Sequence, residues 1–358
     1  MEGRESPRKS AREERGGAMS DPIPTSIHTD NHTDTAAPTG RRAADVKPAP
    51  NTLPSVTVAV VAHRAGGFIE ECLRSASNQD YPRGLLHLLV VDDSDDPATK
   101  EACARYGAEY VYAPETDTPG KARNVALRLV KTDVIAFLDT DCVAPEDWVK
   151  TIVSDLREYE EVVGVVGCYT GGRNWIQRVF NQESVTKTKE VKAPMGILEG
   201  NCAFWVKALE GKSFGVYKYS EGNVLSSQIT ASGGRILLDY DLKVVHRGFT
   251  YTPRKFYRMG EAQMHNNRDY FGGALRGEVF SACVVAALIM LLSSPIYGWM
   301  LALPSLGVTA VFVKFAKAYQ KSVPTRWLIP SYTYFVLIRW VFWLGYFKET
   351  LTYWLRRR

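Results

Sequence analysis

Two aspartates follow an apolar run in the stretch FLDTDC, residues 137–142. Asp139 and Asp141 come directly after Val134–Leu138, whose apolar side chains predict a buried strand. A buried carboxylate is costly unless a cation meets it. The pair therefore either lies at a solvated strand end, where Asp also caps helices, or binds a metal ion. Oxygen ligands of this kind suit Mg²⁺ or Mn²⁺.

Two other predicted strands end in polar residues. SVTVAVVAH ends at His63, and HLLVVDD ends at Asp92 and Asp93. In α/β sheets, ligands gather at the carboxyl ends of the strands. We therefore expect these side chains to share one edge with Asp139 and Asp141, where a divalent cation would link acidic groups to an anionic diphosphate.

The elements that position these residues alternate along residues 54–250. Helical patterns over Phe68–Ser77, Ala98–Tyr106 and Lys121–Val130 separate the strands, and a short strand is predicted at Glu109–Tyr112. Alternating strands and helices are typical of an α/β domain. We predict a Rossmann-like, mostly parallel sheet with helices on both faces.

The ordered motifs SVTVAVVAH, EECLRSASNQDYP, LLVVDDSDD, GKARNVAL and FLDTDC resemble the nucleotide-binding half of family 2 glycosyltransferases, which have the GT-A fold. The resemblance covers about residues 54–249 and implies a nucleotide-sugar donor with Mg²⁺ or Mn²⁺. The implied donor-binding residues are His63, Asp92, Asp93, Gly120, Arg123, Asn124 and Asp139. Arg123 can balance anionic charge; alternatively, it is a surface residue paired with nearby acid.

The second half of the domain implies an acceptor site and completes the metal site. ILEGNCAFWVKAL is similar to the family's GxNxAFRRxAL stretch, which implies that Gly200, Asn201 and Phe204 shape the floor beneath the donor sugar. Asn201 could instead cap a turn. A helix, glycine turn and strand then lead to His246, which the resemblance places with Asp139 and Asp141 at the metal. A buried structural histidine is the alternative.

One departure from the family concerns the catalytic base. Many relatives have Glu-Asp before a helix, with the aspartate as base, whereas this chain has Glu221-Gly222. We predict that Glu221 takes over this role if the acceptor is a hydroxyl, which must lose its proton during attack. A lipid phosphate is already ionised and needs no base, so both acceptor classes stay open.

The ends of the chain differ from this domain in composition. Residues 1–53 are rich in polar, charged and small residues and predict a disordered tail. Residues 251–277 predict an interfacial connecting segment, and residues 278–358 a membrane region with a basic C-terminus. Val279–Phe315 is almost uncharged and long enough for two short membrane helices; a buried hairpin is the alternative. Trp327–Phe347 is predicted to be a third span or an interfacial helix. Arg339 within it favours the interface, because an arginine in the middle of a membrane is costly.

The charge distribution and the cysteine content indicate where the protein is located and what it binds. No apolar segment of a signal peptide follows the basic N-terminus, and basic residues flank the apolar segments. We therefore expect a multi-pass protein of the cell membrane with a cytoplasmic catalytic domain. The formal net charge of +5 lies largely in tails and membrane flanks, which favours membrane lipid over nucleic acid. The six cysteines form no CxxC pair and predict reduced thiols without a zinc site.

These features favour a membrane-anchored, inverting glycosyltransferase that acts on a lipid-linked or cell-envelope glycan acceptor. A processive polysaccharide synthase is an alternative, although the QxxRW motif of that group is represented only by Gln263. A non-catalytic membrane scaffold that retained the fold is a third hypothesis, supported by Gly222 alone. Metal-dependent binding of nucleoside diphosphates would separate an enzyme from a scaffold.

Overall fold

The computed structural model describes residues 47, 52–171, 189–192, 197–219, 221–248, 252–270 and 328–356. Almost all of the predicted tail, residues 1–53, lies outside this part of the chain. The predicted membrane hairpin, Val279–Phe315, lies wholly outside it, and so does the end of the predicted connecting segment, residues 271–277.

The described strands form one sheet of nine members. They are β1 Val56–Ala62, β2 Leu86–Asp92, β3 Glu109–Tyr112, β4 Val134–Asp139, β5 Cys142–Val143, β6 Val162–Thr170, β7 Lys189–Lys192, β8 Asn201–Trp205 and β9 Arg235–His246. The order across the sheet is β3-β2-β1-β4-β8-β6-β9-β5, and β7 pairs with β9.

Seven α-helices are found in the described ranges. They are α1 Phe68–Ser77, α2 Pro97–Tyr106, α3 Pro119–Leu129, α4 Trp148–Glu158, α5 Glu221–Ala231, α6 Pro253–Tyr270 and α7 Leu328–Arg356. Two of the starts follow from the local sequence. Asp96 and Thr118 cap α2 and α3 by accepting backbone N–H groups, and each is followed by proline at the first helical position.

The sheet is mixed, which corrects the prediction of a mostly parallel sheet for its second half. Strands β3, β2, β1 and β4 are parallel, as the alternating helices predict. β8, however, runs antiparallel to both β4 and β6. The apolar pattern of β8 does not encode its direction.

Asn201 and Phe204 of β8 are fully buried, at 0% exposure. The Trp148 indole N–H donates to Asn201 Oδ1 at 2.9 Å, and Asn201 Nδ2 donates to the carbonyls of Cys168 and Leu242 at 2.9 Å each. Phe204 packs so closely on Gly164 that a Cβ there would lie 2.3 Å from the ring. Both residues belong to the core, and their role in shaping the floor beneath the donor sugar stays a prediction.

Helices α6 and α7 pack directly on each other. A Cβ on Gly260 would lie 1.9 Å from the Phe342 carbonyl oxygen, and one on Gly345 would lie 2.0 Å from that of Tyr257. Most of the predicted third apolar segment, Trp327–Phe347, lies in α7. Among the described residues, α7 included, no helix combines the length and apolar character needed to cross a membrane.

The Asn201 network predicts a stability effect. Asn201→Ala leaves one buried donor and two buried carbonyls without this partner, so we expect the free energy of unfolding to fall by about 3 kcal/mol in urea denaturation. The matched control is Asn78→Ala at an exposed position, which should cost less than about 1 kcal/mol. Equal effects for the two variants would show that the network does not stabilise the sheet.

Candidate active site

Asp139 lies at the carboxyl end of β4, where the sequence predicts a functional carboxylate. Its Oδ1 accepts from Arg123 Nη2 at 2.8 Å, and its Oδ2 accepts from the Tyr169 hydroxyl at 3.3 Å. Gly200 allows this carboxylate to approach β8, because a Cβ there would lie 2.1 Å from Asp139 Oδ2. Gly200 is therefore required for the geometry of Asp139.

Arg123 joins Asp139 to the second half of the site. Its side chain is 4% exposed, and its Nη1 donates to Glu221 Oε1 at 2.9 Å, while Nη2 binds Asp139. Burial lowers the pKa of Arg123, but the Asp139 and Glu221 carboxylates outweigh burial and raise the pKa above its ordinary value. Arg123 is therefore a fixed cation inside the site, which excludes the alternative of a surface residue.

Gly120 and Asn124 attach α3 to the neighbouring residues 214–215. A Cβ on Gly120 would lie 1.9 Å from the Gly215 carbonyl oxygen. The Asn124 side chain exchanges two hydrogen bonds with the backbone of Phe214, at 2.8 and 3.0 Å. These contacts hold residues 214–215 against α3. Gly120 and Asn124, both predicted to bind the donor, thus help to hold α3, which carries Arg123, in place.

Asp141 and His246 lie together, as the sequence predicts. His246 is at the end of β9, which pairs with β5, and its Nε2 lies 3.1 Å from Asp141 Oδ1. The Tyr169 ring packs on the imidazole with centroids 4.4 Å apart. Gly248 leaves room on the other side, since a Cβ there would lie 2.5 Å from Asp141 Oδ2. The carboxylate and imidazole are thus fixed from two sides.

This pair fits a divalent cation. Asp141, Cys142 and His246 each offer one ligand atom, and these atoms lie within 4.8 Å of one another. Burial raises the pKa of the Cys142 thiol well above its ordinary value, so it is not a ready thiolate ligand. The carboxylate oxygen suits Mg²⁺ or Mn²⁺, and the imidazole nitrogen adds a second ligand atom for a divalent cation. Asp139, the third predicted ligand, lies outside this cluster and binds Arg123 and Tyr169 instead.

The ends of β1 and β2 form the other part of the edge. His63 Nδ1 lies 2.6 Å from Asp93 Oδ1, and the His63 side chain is 65% exposed. Asp92 is fully buried, and its two oxygens accept from Ser94 N, Ser94 Oγ, Asp96 N and the Tyr110 hydroxyl. Asp92 therefore shapes the loop, and Asp93 with His63 is the accessible pair. The contact of Asp92 with the donor stays a prediction.

Glu221 and Glu199 bring two carboxylates to the start of α5. Glu221 is the predicted base; its side chain is 7% exposed and is paired with Arg123. Glu199 was not predicted, yet its Oε1 accepts from the backbone N–H of Gly222 at 2.7 Å. Burial and the neighbouring Glu221 carboxylate raise the pKa of Glu199 to about 8, although Arg123 opposes them. The glycine at position 222 was the available signal, since it leaves space for another side chain.

Lys255 near the start of α6 is another residue that the sequence analysis missed. Burial lowers its pKa to about 8, while the charges of Asp141 and Asp139 oppose that shift. Its ammonium lies 5.8 Å from the centre of the Tyr219 ring. α6 therefore brings a cation towards the acidic edge of the sheet.

Residues 57–210 match the family model for Glycosyl transferase family 2. Glycosyltransferase AglE of Haloferax volcanii is 29% identical over 111 residues, which are 30% of this chain and 36% of the relative. An N-acetylglucosaminyltransferase of Rhizobium meliloti is 29% identical over 152 residues, which are 39% of this chain and 35% of the relative. The chain thus spans about a third of the length of these relatives.

A similar solved structure is that of mannosyltransferase PcManGT from Pyrobaculum calidifontis in complex with GDP-Man and Mn²⁺. Its TM-score is 0.56 at 20% sequence identity, over 86% of this chain and 90% of that chain. At this identity the likeness concerns the fold. The likeness supports a GT-A fold, and residues 57–210 are similar to family 2 glycosyltransferases.

The site geometry predicts that Asp141 binds Mn²⁺. Asp141→Asn removes one anionic ligand, so we expect Mn²⁺ affinity measured by calorimetry to fall at least tenfold, with little change in melting temperature. Asp147→Asn, at an exposed position, is the matched control and should bind like the wild type. Unchanged Mn²⁺ binding by Asp141→Asn would remove Asp141 from the metal site.

Proposed function

We propose that this chain is a family 2 glycosyltransferase that moves a sugar from a nucleotide-sugar donor to an acceptor at the cell membrane. The observation that carries the proposal is the edge formed by Asp139, Arg123, Asp141 and His246. Two features of this edge suit a nucleoside diphosphate: a pair of groups that fits a divalent cation, and a fixed guanidinium. Most of it lies within the matched residues 57–210.

The donor is held in three parts. His63 and Asp93 are accessible to the base and ribose, since a carboxylate accepts hydrogen bonds from hydroxyls. Asp139 is 28% exposed at its side chain and faces the donor sugar or ribose. Asp141 and His246 would hold Mg²⁺ or Mn²⁺, which supplies positive charge for the leaving diphosphate. The Mn²⁺ and GDP-Man bound to PcManGT support this assignment.

The reaction is a direct displacement with inversion. An acceptor oxygen attacks the anomeric carbon from the face opposite the diphosphate, and the bond from that carbon to the diphosphate oxygen breaks. The nucleoside diphosphate leaves with the bonding electron pair, and Lys255 adds positive charge on the α6 side of the site. Arg123 keeps Asp139 and Glu221 in fixed positions during this step.

The acceptor is proposed to be a lipid-linked or cell-envelope glycan. Among the similar proteins is TarS of Staphylococcus aureus, a poly(ribitol-phosphate) β-N-acetylglucosaminyltransferase, 27% identical over 132 residues, which are 35% of this chain and 23% of that relative. We also propose that the chain lies in the membrane with its catalytic domain in the cytoplasm. The apolar composition of Val279–Phe315 and its basic flanks support this location.

The proposal is tested by donor turnover. The full chain is expressed, and membrane and supernatant fractions are incubated with radiolabelled UDP-GlcNAc, UDP-glucose, UDP-galactose and GDP-mannose. We expect the protein in the membrane fraction, with transfer from one donor that stops in excess chelator. Asp147→Asn should retain this activity, whereas Asp141→Asn should lose it by at least about a hundredfold.

Three outcomes would each contradict part of this account. Failure of every donor to bind or react would favour the non-catalytic scaffold, and recovery of the full chain in the supernatant would remove the membrane location. Full activity in excess chelator would remove the metal ion from the mechanism while leaving the transferase activity intact.

A further inference from the structure

The Glu199 side chain occupies the space beside Gly222 at the start of α5. A Cβ on Gly222 would lie 2.5 Å from Glu199 Oε1, 2.9 Å from Cδ and 3.0 Å from Cγ. Because the whole end of the side chain lies within this range, an aspartate at position 222 and the observed Glu199 conformation exclude each other. Position 222 is the position at which the aspartate of the related motif would lie.

The two carboxylates at the start of α5 have different surroundings. Glu221 is 7% exposed at its side chain and is held by Arg123 at 2.9 Å, so its charge is already compensated. Glu199 is half-buried, and its Oε1 accepts a hydrogen bond from the Gly222 N–H at 2.7 Å. Glu199 is therefore the less buried of the two carboxylates and has a fixed position, whereas Glu221 is enclosed in an ion pair.

The titratable and charged groups around Glu199 lie on α3, α5, β6 and β8. Glu221 of α5 and Arg123 of α3 act on it electrostatically, and Arg123 is the fixed cation of the group. Tyr169 of β6 and Cys202 of β8 also lie in its field, and burial keeps both in their neutral forms by raising their pKa values well above the ordinary ones. Arg123 is already paired with Asp139 and Glu221, so the further carboxylate of Glu199 favours the protonated state.

We propose that Glu199, and not Glu221, accepts the proton of the acceptor hydroxyl during transfer. This inference rests on the proposed function. As the acceptor oxygen bonds to the anomeric carbon, its proton passes to a Glu199 carboxylate oxygen and the diphosphate leaves with the electron pair of the broken bond. The Gly222 N–H holds the carboxylate in position, and Glu221 keeps Arg123 in place for Asp139.

The first experiment compares Glu199→Gln with Glu221→Gln and with the exposed control Glu101→Gln. Release of nucleoside diphosphate is measured from the donor that the wild type uses, with a lipid extract of the host membrane as the acceptor source. Glutamine keeps the hydrogen bond to Gly222 but cannot take a proton. We expect turnover by Glu199→Gln to fall about a hundredfold or more at unchanged donor affinity, and Glu101→Gln to match the wild type.

The pH profile gives a readout that a structural role would not produce. A base must be deprotonated to act, so wild-type turnover should rise with pH to a plateau above about 8, the pKa given above. The same group makes the folded state bind a proton between its ordinary pKa of 4.5 and about 8, so stability should decline across that range as pH rises. Glu199→Gln should abolish both the rise in turnover and this part of the decline.

The second experiment exchanges the positions of the carboxylate. Gly222→Asp alone should be inactive or unstable, because its side chain collides with Glu199. In the double variant Glu199→Ala/Gly222→Asp the collision is removed and a carboxylate returns to the same space. We expect the turnover of the double variant to be at least tenfold higher than that of Glu199→Ala.

The outcomes separate this inference from the proposed function. If the wild type neither binds nor cleaves any donor of the panel, the proposed function fails and the inference with it. If the wild type is active and Glu199→Gln stays within tenfold of it across the pH range, the inference alone is overturned, and a phosphate acceptor or Glu221 as base remains. Failure of Glu199→Gln to fold would also overturn it, by showing that the charge serves the structure.

Discussion

The buried ion pairs of Arg123 determine how the first half of this domain, which contains β4, meets the second half, which contains α5. The guanidinium binds Asp139 at the end of β4 and Glu221 at the start of α5, and little of it is exposed to water. A buried charge that loses one partner is strongly destabilising. The three side chains therefore have to be placed together, and α3 provides the cation that compensates the charges of both carboxylates.

Glycines make this arrangement possible by admitting groups at distances that a side chain would forbid. Gly120 admits the Gly215 carbonyl, Gly200 admits the Asp139 carboxylate, and Gly222 admits the Glu199 carboxylate. None of these three glycines has a positive φ, so their value lies in the missing Cβ and not in backbone freedom. Each close approach brings a polar group towards Arg123 or towards the start of α5.

The first half of the fold follows from the sequence because its signals are local. Apolar runs of β-branched residues give β1, β2 and β4, and proline with a capping residue starts α2 and α3. The direction of β8 is not a local property, since it depends on which strands lie on either side. The same limit explains Asn201, whose polar side chain is buried by three partners distant in sequence.

The candidate site was predictable in part for similar reasons. Asp141 and His246 belong to motifs, and the structure brings them together. Glu199 belongs to no spaced pattern, because its partner Gly222 lies 23 residues further along the chain. Asp92 and Asp93 are adjacent and chemically identical, so only the fold distinguishes the fully buried Asp92 from the partly exposed Asp93.

The central claim is that this edge of the sheet binds a nucleoside diphosphate together with a divalent cation. The most direct measurement is anomalous X-ray diffraction from crystals grown with Mn²⁺ and the nucleoside diphosphate of the preferred donor. The account predicts a manganese peak in contact with Asp141 and His246 and with the diphosphate oxygens. A diphosphate bound elsewhere, or a manganese peak away from both residues, would contradict it.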